Sequence, residues 1–86
     1  MKAGIPMDQL LIPLSKLNSN TQGRIVNISG GHMFQQRLRS MGIRNGNIIK
    51  VKTRQPFRGP VTIEVCGTQM TIGRGMAHKI QVELIE

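Results

Sequence analysis

The sequence predicts a small, mainly β barrel of about five strands with one or two short helices. Apolar and polar residues alternate in run after run, as in "VTIEV" and "KIQVELI". Gly, Pro and Asn punctuate those runs at short intervals. A single long stretch, "HMFQQRLRSMG", breaks the alternation with helical spacing. A short antiparallel sheet of this kind curves strongly and closes into a barrel, which hides its edges. The 86 residues suffice for one domain, read as residues 9–86. Residues 1–8, with Gly4, Pro6 and no period, read as a flexible N-terminal tail.

Each element follows from its local pattern. Leu11, Leu14 and Leu17 fit a short helical turn after Pro13, which "NSNTQG" ends with turn formers. "GRIVNIS" is the first strand, with Val26 and Ile28 on one face and Ile25 and Asn27 on the other. In the helix, Phe34, Leu38 and Met41 fall on one stripe at i, i+4 and i+7. Gly42 ends it, because glycine enters the left-handed region without a steric penalty, and Ile43 folds back on the last turn. Asn45-Gly46 makes a turn into "NIIKVKTR". There Ile49, Val51 and Thr53 face inward, while Ile48, Lys50, Lys52 and Arg54 face outward. "QPFRGP" is a loop, since proline cannot donate to a ladder. Val61, Ile63 and Val65 then point inward, with Thr62, Glu64 and Cys66 outside. "CGTQ" turns the chain into a strand carrying Met70 and Ile72 inward. "GRGMAHK" allows one short helical turn, and Ile80, Val82 and Leu84 line the core face of the last strand.

The charge balance is lopsided, with 12 Lys+Arg against 4 Asp+Glu and a formal net charge of +8. That favours an anionic partner, although solubility alone is the other reading. The lone Cys66 excludes an internal disulfide and any multi-cysteine zinc site. No apolar run approaches the ~20 residues of a membrane helix. "MDQLLIPL" lacks the flanks of a signal peptide, so the expected location is the cytoplasm.

Catalysis finds little support. Asp8, Glu64, Glu83 and Glu86 show no spacing suited to paired acid/base work. No serine has a nucleophile-elbow context, and nothing local brings Cys66 to His32 or His78. "SGGH" and "GRGMAH" lack the glycine spacing of a phosphate loop. His32, His78 and Cys66 lack the spacing of a zinc site, and most methionines fall on core stripes. What remains is a basic surface of Arg37, Arg39, Arg44, Lys50, Lys52, Arg54 and Arg58. Phe57, beside Arg58, is either an exposed anchor or a plug in the barrel end. Two phenylalanines are too few for a single-strand stacking platform.

The ordered set of landmarks resembles the FeoA family, ferrous iron transport protein A. It comprises Leu14 and Leu17, Gly23, Arg37-Leu38, Met41-Gly42-Ile43, Gly46, Gly59-Pro60-Val61, and Ala77 with Ile80. The resemblance implies an SH3-like barrel. It also implies a cytosolic accessory of bacterial ferrous iron uptake whose partner is the FeoB transporter. The same module ends metal-dependent repressors, where carboxylate and amide side chains near the helix start help bind metal. Gly31, His32, Met33 and Phe34 occupy that region here without a carboxylate, so that metal site is not carried over. The expected function is therefore non-enzymatic docking on FeoB through the seven cations and Phe57, with no cofactor. Alternatives are a basic nucleic-acid-binding barrel, and an iron-sensing module with transient Fe2+ contact through His32, His78 or Cys66. The sequence leaves homo-oligomerisation open.

Overall fold

The structure, a computed structural model, describes residues 11–55, 57 and 59–85. The expected tail of 1–8 lies outside the described residues. Six strands and two short helices follow in the order β1 (Leu11–Pro13), β2 (Thr21–Ile28), α1 (His32–Ser40), β3 (Ile48–Arg54), β4 (Val61–Val65), β5 (Thr68–Ile72), α2 (Arg74–His78) and β6 (Ile80–Ile85). A 3-10 turn, Leu14–Lys16, joins β1 to β2. The expected barrel is present, with one strand more than the sequence pattern gave. The short helical turn follows Pro13 as expected, at Leu14–Lys16, but Leu11 lies outside it, because Leu11–Pro13 pairs with β6. Its proline is tolerated because β1 is an edge strand.

All strand pairs are antiparallel, in the order β1-β6-β2-β3-β4-β5. Contrary to the expectation of full closure, this order does not pair β1 with β5, and both remain edges among the described residues. Aliphatic side chains fill the interior: Ile25, Ile28, Ile49, Val51, Ile63, Val65, Ile80 and Val82 from the strands, with Leu14, Leu38 and Ala77 from the turn and helices.

Two β-bulges shift the alternation that the sequence suggested. In β2 the register slips between Ile25 and Asn27, leaving Val26 as the extra residue. Ile25 and Ile28 are therefore both buried while Val26 faces water. In β3 the slip falls between Val51 and Thr53, at Lys52. Thr53 is consequently exposed, and Arg54 leaves the face of Lys50 to stand opposite Val61. Leu84 also departs from expectation, being 40% exposed. Its cross-strand neighbour is Gly23, which has no side chain to cover it.

Helix α1 ends as its sequence requires. Gly42 has φ +88, its N–H donates to the Arg39 carbonyl at 3.0 Å, and the Ile43 N–H donates to the Leu38 carbonyl at 3.0 Å. This pair of bonds is the Schellman arrangement, and buried Ile43 supplies its apolar contact. Gly42→Ala is expected to cost about 1–2 kcal/mol, because a Cβ disfavours the left-handed backbone. Thermal unfolding of the variant checks this; an unchanged midpoint would show that the cap contributes nothing. The β4–β5 hairpin has a two-residue loop, Cys66-Gly67, with φ +52 and +77, as tight hairpin turns demand.

Candidate functional site

The β3–β4–β5 meander separates the predicted docking residues. At one end Ile49, Val65 and Thr68 align, next to the hairpin tip. Asn47 lies here, its Nδ2 donating to the Gly42 carbonyl at 2.8 Å and lying 3.5 Å from Cys66 Sγ. These bonds seat the exit of α1 beside the tip. Arg44 occupies the turn before β3, where the Asn47 N–H donates to its carbonyl at 3.1 Å. Arg37 and Arg39 are exposed on α1, and Arg37 lines an open hollow together with Met33 and Phe34. Met33, on that helix, is 79% exposed.

Lys50 and Lys52 belong to the middle of β3. Glu64 stands directly across from Lys50, and its Oε1 is 3.5 Å from Lys52 Nζ. The other described acid, Glu83, pairs with Arg24 at 3.0 Å. Surface pairs of this kind contribute about 0–1 kcal/mol each. They matter more for what they leave. Among the described residues, Arg37, Arg39, Arg44, Arg54 and Arg74 have no carboxylate within 4.0 Å.

At the far end of the meander, Arg54, Val61 and Ile72 align. The bulge at Lys52 has turned Arg54 toward the 3-10 turn, and its Nη1 donates to the Leu17 carbonyl at 3.2 Å. Arg54 thus lines a small cleft together with Ser15, Phe57, Val61 and Arg74. Ser15 is 1% exposed, and its Oγ is 3.1 Å from His78 Nδ1, which ties the 3-10 turn to α2. Phe57 resolves the alternative left open by the sequence: it is 97% exposed, with φ +59, and does not plug the barrel. An aromatic residue in that backbone region is uncommon, and nothing in the core rewards it here. Arg58 lies outside the described residues.

The structure therefore resolves the expected basic surface into three groups: Arg37, Arg39 and Arg44 around the helix exit, Lys50 and Lys52 on the sheet, and Arg54 with Phe57 at the cleft. Sequence reading passed over Arg74 and gave Ser15 no role beside Arg54. No local signal links residues 15, 54 and 74; strand pairing brings them together. His78 closes α2, the short helical turn that "GRGMAHK" allows. His32 opens α1, and Cys66 is at the hairpin tip. Among the described residues no three His, Cys, Asp or Glu side chains group as metal ligands. No helix among them is long and apolar enough to cross a membrane.

Comparison with known proteins adds the following. The FeoA domain family matches residues 12–84. A putative Fe(2+) transport protein A of Methanocaldococcus jannaschii is 40% identical over 73 residues, spanning 85% of this chain and 87% of that protein. An Fe(2+) transport protein A/Fe(2+) transporter FeoB fusion protein of Porphyromonas gingivalis is 36% identical over 72 residues, 84% of this chain. The chain spans only 8% of that fusion protein. A crystal structure of an iron uptake regulatory protein (FeoA) superposes with a TM-score of 0.82 at 39% identity, covering 87% of this chain and 99% of the other. The fold alone is shared with Stenotrophomonas maltophilia FeoA complexed with zinc, described as a prokaryotic SH3 domain protein. That match has a TM-score of 0.73 at 21% identity and covers 84% and 89% of the two chains. A manganese-dependent transcriptional repressor shares the fold likewise, with a TM-score of 0.79 at 20% identity over 87% of this chain and 42% of that one.

Proposed function

This chain belongs to the FeoA family, and on that premise we propose that it is a non-enzymatic accessory of ferrous iron uptake that docks on the cytosolic part of a FeoB-type transporter. The observation that carries the reading is the Porphyromonas gingivalis fusion, in which a segment 36% identical to this chain shares one polypeptide with a FeoB transporter. Covalent linkage supplies a high effective concentration for partners that otherwise meet by diffusion. The surface suits such a role: several arginines without carboxylate partners among the described residues, and a 97% exposed aromatic, are an interface composition. Arg37, Arg39, Arg44, Lys50, Lys52, Arg54, Phe57 and Arg58 are the proposed docking residues. The protein works in the cytoplasm, and its charge steers the encounter.

The test is capture of the transporter's purified cytosolic domain by this chain and by three charge-reversed variants. These are Arg37→Glu with Arg39→Glu and Arg44→Glu; Lys50→Glu with Lys52→Glu; and Arg54→Glu with Arg58→Glu. At least one variant is expected to bind about tenfold more weakly, a loss of about 1.4 kcal/mol, while its circular dichroism is unchanged. Capture equal to the unaltered chain by all three, each folded, would refute electrostatic docking. Binding to duplex DNA that survives physiological salt would favour the nucleic-acid alternative instead, since nonspecific contacts weaken steeply with salt.

A further inference from the structure

The cleft at the end of the meander has the chemistry of an anion site. Two arginines, Arg54 and Arg74, line it, and neither has a carboxylate partner among the described residues. Arg54 is held in place by its bond to the Leu17 carbonyl, which uses one of five N–H donors. Among the described residues the others have no partner, which leaves them to a ligand. The wall also includes Ser15, which is only 1% exposed and whose Oγ is 3.1 Å from His78 Nδ1. When that nitrogen carries the proton it donates to Ser15 Oγ, and the hydroxyl proton is free to point toward an oxyanion.

Size decides what kind of ligand fits. The cleft has a volume of about 140 Å³, below the ~300 Å³ at which pockets begin to hold whole small molecules. It holds one oxyanion group while the rest of the ligand stays outside. What lies outside is the Phe57 ring, 97% exposed on the rim. A nucleic acid would call for cations spaced along a groove and several aromatic faces, whereas here two arginines meet in one hollow beside one ring.

We infer that this cleft binds the carboxylate of an acidic peptide segment on a protein partner, with an apolar neighbour of that carboxylate packed on Phe57. Arg54 and Arg74 supply the paired donors that planar carboxylates favour. Arg74, which the sequence pattern did not single out, is as necessary as Arg54. The inference deepens the docking reading above and rests on it for the identity of the partner, but not for the chemistry of the cleft.

The experiment uses the full chain labelled with nitrogen-15 and a short blocked peptide carrying adjacent glutamates flanked by leucine. Titration is expected to shift the resonances of Ser15, Arg54, Phe57 and Arg74. Affinity is expected to fall about tenfold for the glutamine version of the peptide, and about tenfold for Arg74→Gln, whose thermal midpoint is unchanged. Shifts confined to Lys50, Lys52 or α1, or equal affinity for the glutamine peptide, would overturn the assignment. So would inorganic phosphate that reproduces the same shifts at the same concentration, since the site would then be a simple phosphate site. Capture of the FeoB cytosolic domain separates the two levels. Capture that survives Arg74→Gln while the peptide no longer binds overturns the cleft as the docking point and leaves docking itself standing. Peptide in the cleft with no capture at all overturns the transporter reading and keeps the cleft.

Discussion

Ile63→Ala is expected to remove about 2–5 kcal/mol of stability, as deletion of a fully enclosed branched side chain does. Ile63 is completely buried in the middle of β4, opposite Val51 on β3 and Met70 on β5. The loss has two parts: the transfer free energy of the deleted carbons, and the dispersion contacts forfeited by a hole that ladder hydrogen bonds prevent from collapsing. Neighbouring strands are pinned on both sides, so relaxation is small and the upper half of the range applies. A chain of 86 residues holds on the order of 4–13 kcal/mol in total, at about 0.05–0.15 kcal/mol per residue. One substitution therefore takes a large share. Urea unfolding should show a midpoint lowered by on the order of 2 M with an unchanged slope. Leu84→Ala, at a site 40% exposed, serves as the comparison. If the two variants unfold at the same midpoint, the core has been misplaced.

Gly23→Ala is expected to cost about 1–3 kcal/mol for the opposite reason, overpacking. A Cβ at that position would lie 2.7 Å from Val82 Cγ2, 2.8 Å from Val82 Cβ and 3.2 Å from the Glu83 carbonyl oxygen. None of these atoms is the loose end of a long side chain. Val82 is fully buried opposite Ile25, and the Glu83 carbonyl belongs to the β6 backbone. β2 must move away from β6, because a change of the Val82 rotamer shifts Cγ2 and leaves Cβ at 2.8 Å. The pair should therefore be coupled in part: in Gly23→Ala with Val82→Ala, the second truncation removes the Cγ2 contact and leaves the Cβ contact. The double variant is expected to be more stable than the sum of the single changes predicts, by at least about 0.5 kcal/mol. Strict additivity in equilibrium unfolding would show that the close approach at Gly23 carries no energy.

The parts of the fold that local chemistry dictates were legible in the sequence. Gly42 with Ile43 foretold the helix end, Cys66-Gly67 the hairpin, and Val61-Ile63-Val65 the buried face of β4. The misses share a cause. A bulge inserts one residue into a period of two, and nothing in "IVNI" or "VKTR" marks where the insertion falls. The faces of Ile28, Thr53 and Arg54 were therefore assigned from an uninterrupted alternation. β1 escaped notice because three residues are too few to show a period and one of them is proline. At the candidate site the cations themselves were visible, but not their grouping. Lys50 and Lys52 share a strand with Arg54, yet the bulge parts them. Arg74 reaches the cleft through pairings that span three strands, and side chains separated by that much chain meet only once the sheet exists.

The unsealed seam between β1 and β5 carries a liability of its own. Among the described residues β5 makes ladder bonds only to β4, so a row of peptide groups from Thr68 to Ile72 has no strand on its other side. That row is uncharged and free of proline, the two features that most often deter a stray neighbour from zipping on. In a molecule otherwise kept apart from its copies by strong positive charge, self-association at high concentration and high salt would begin along this margin.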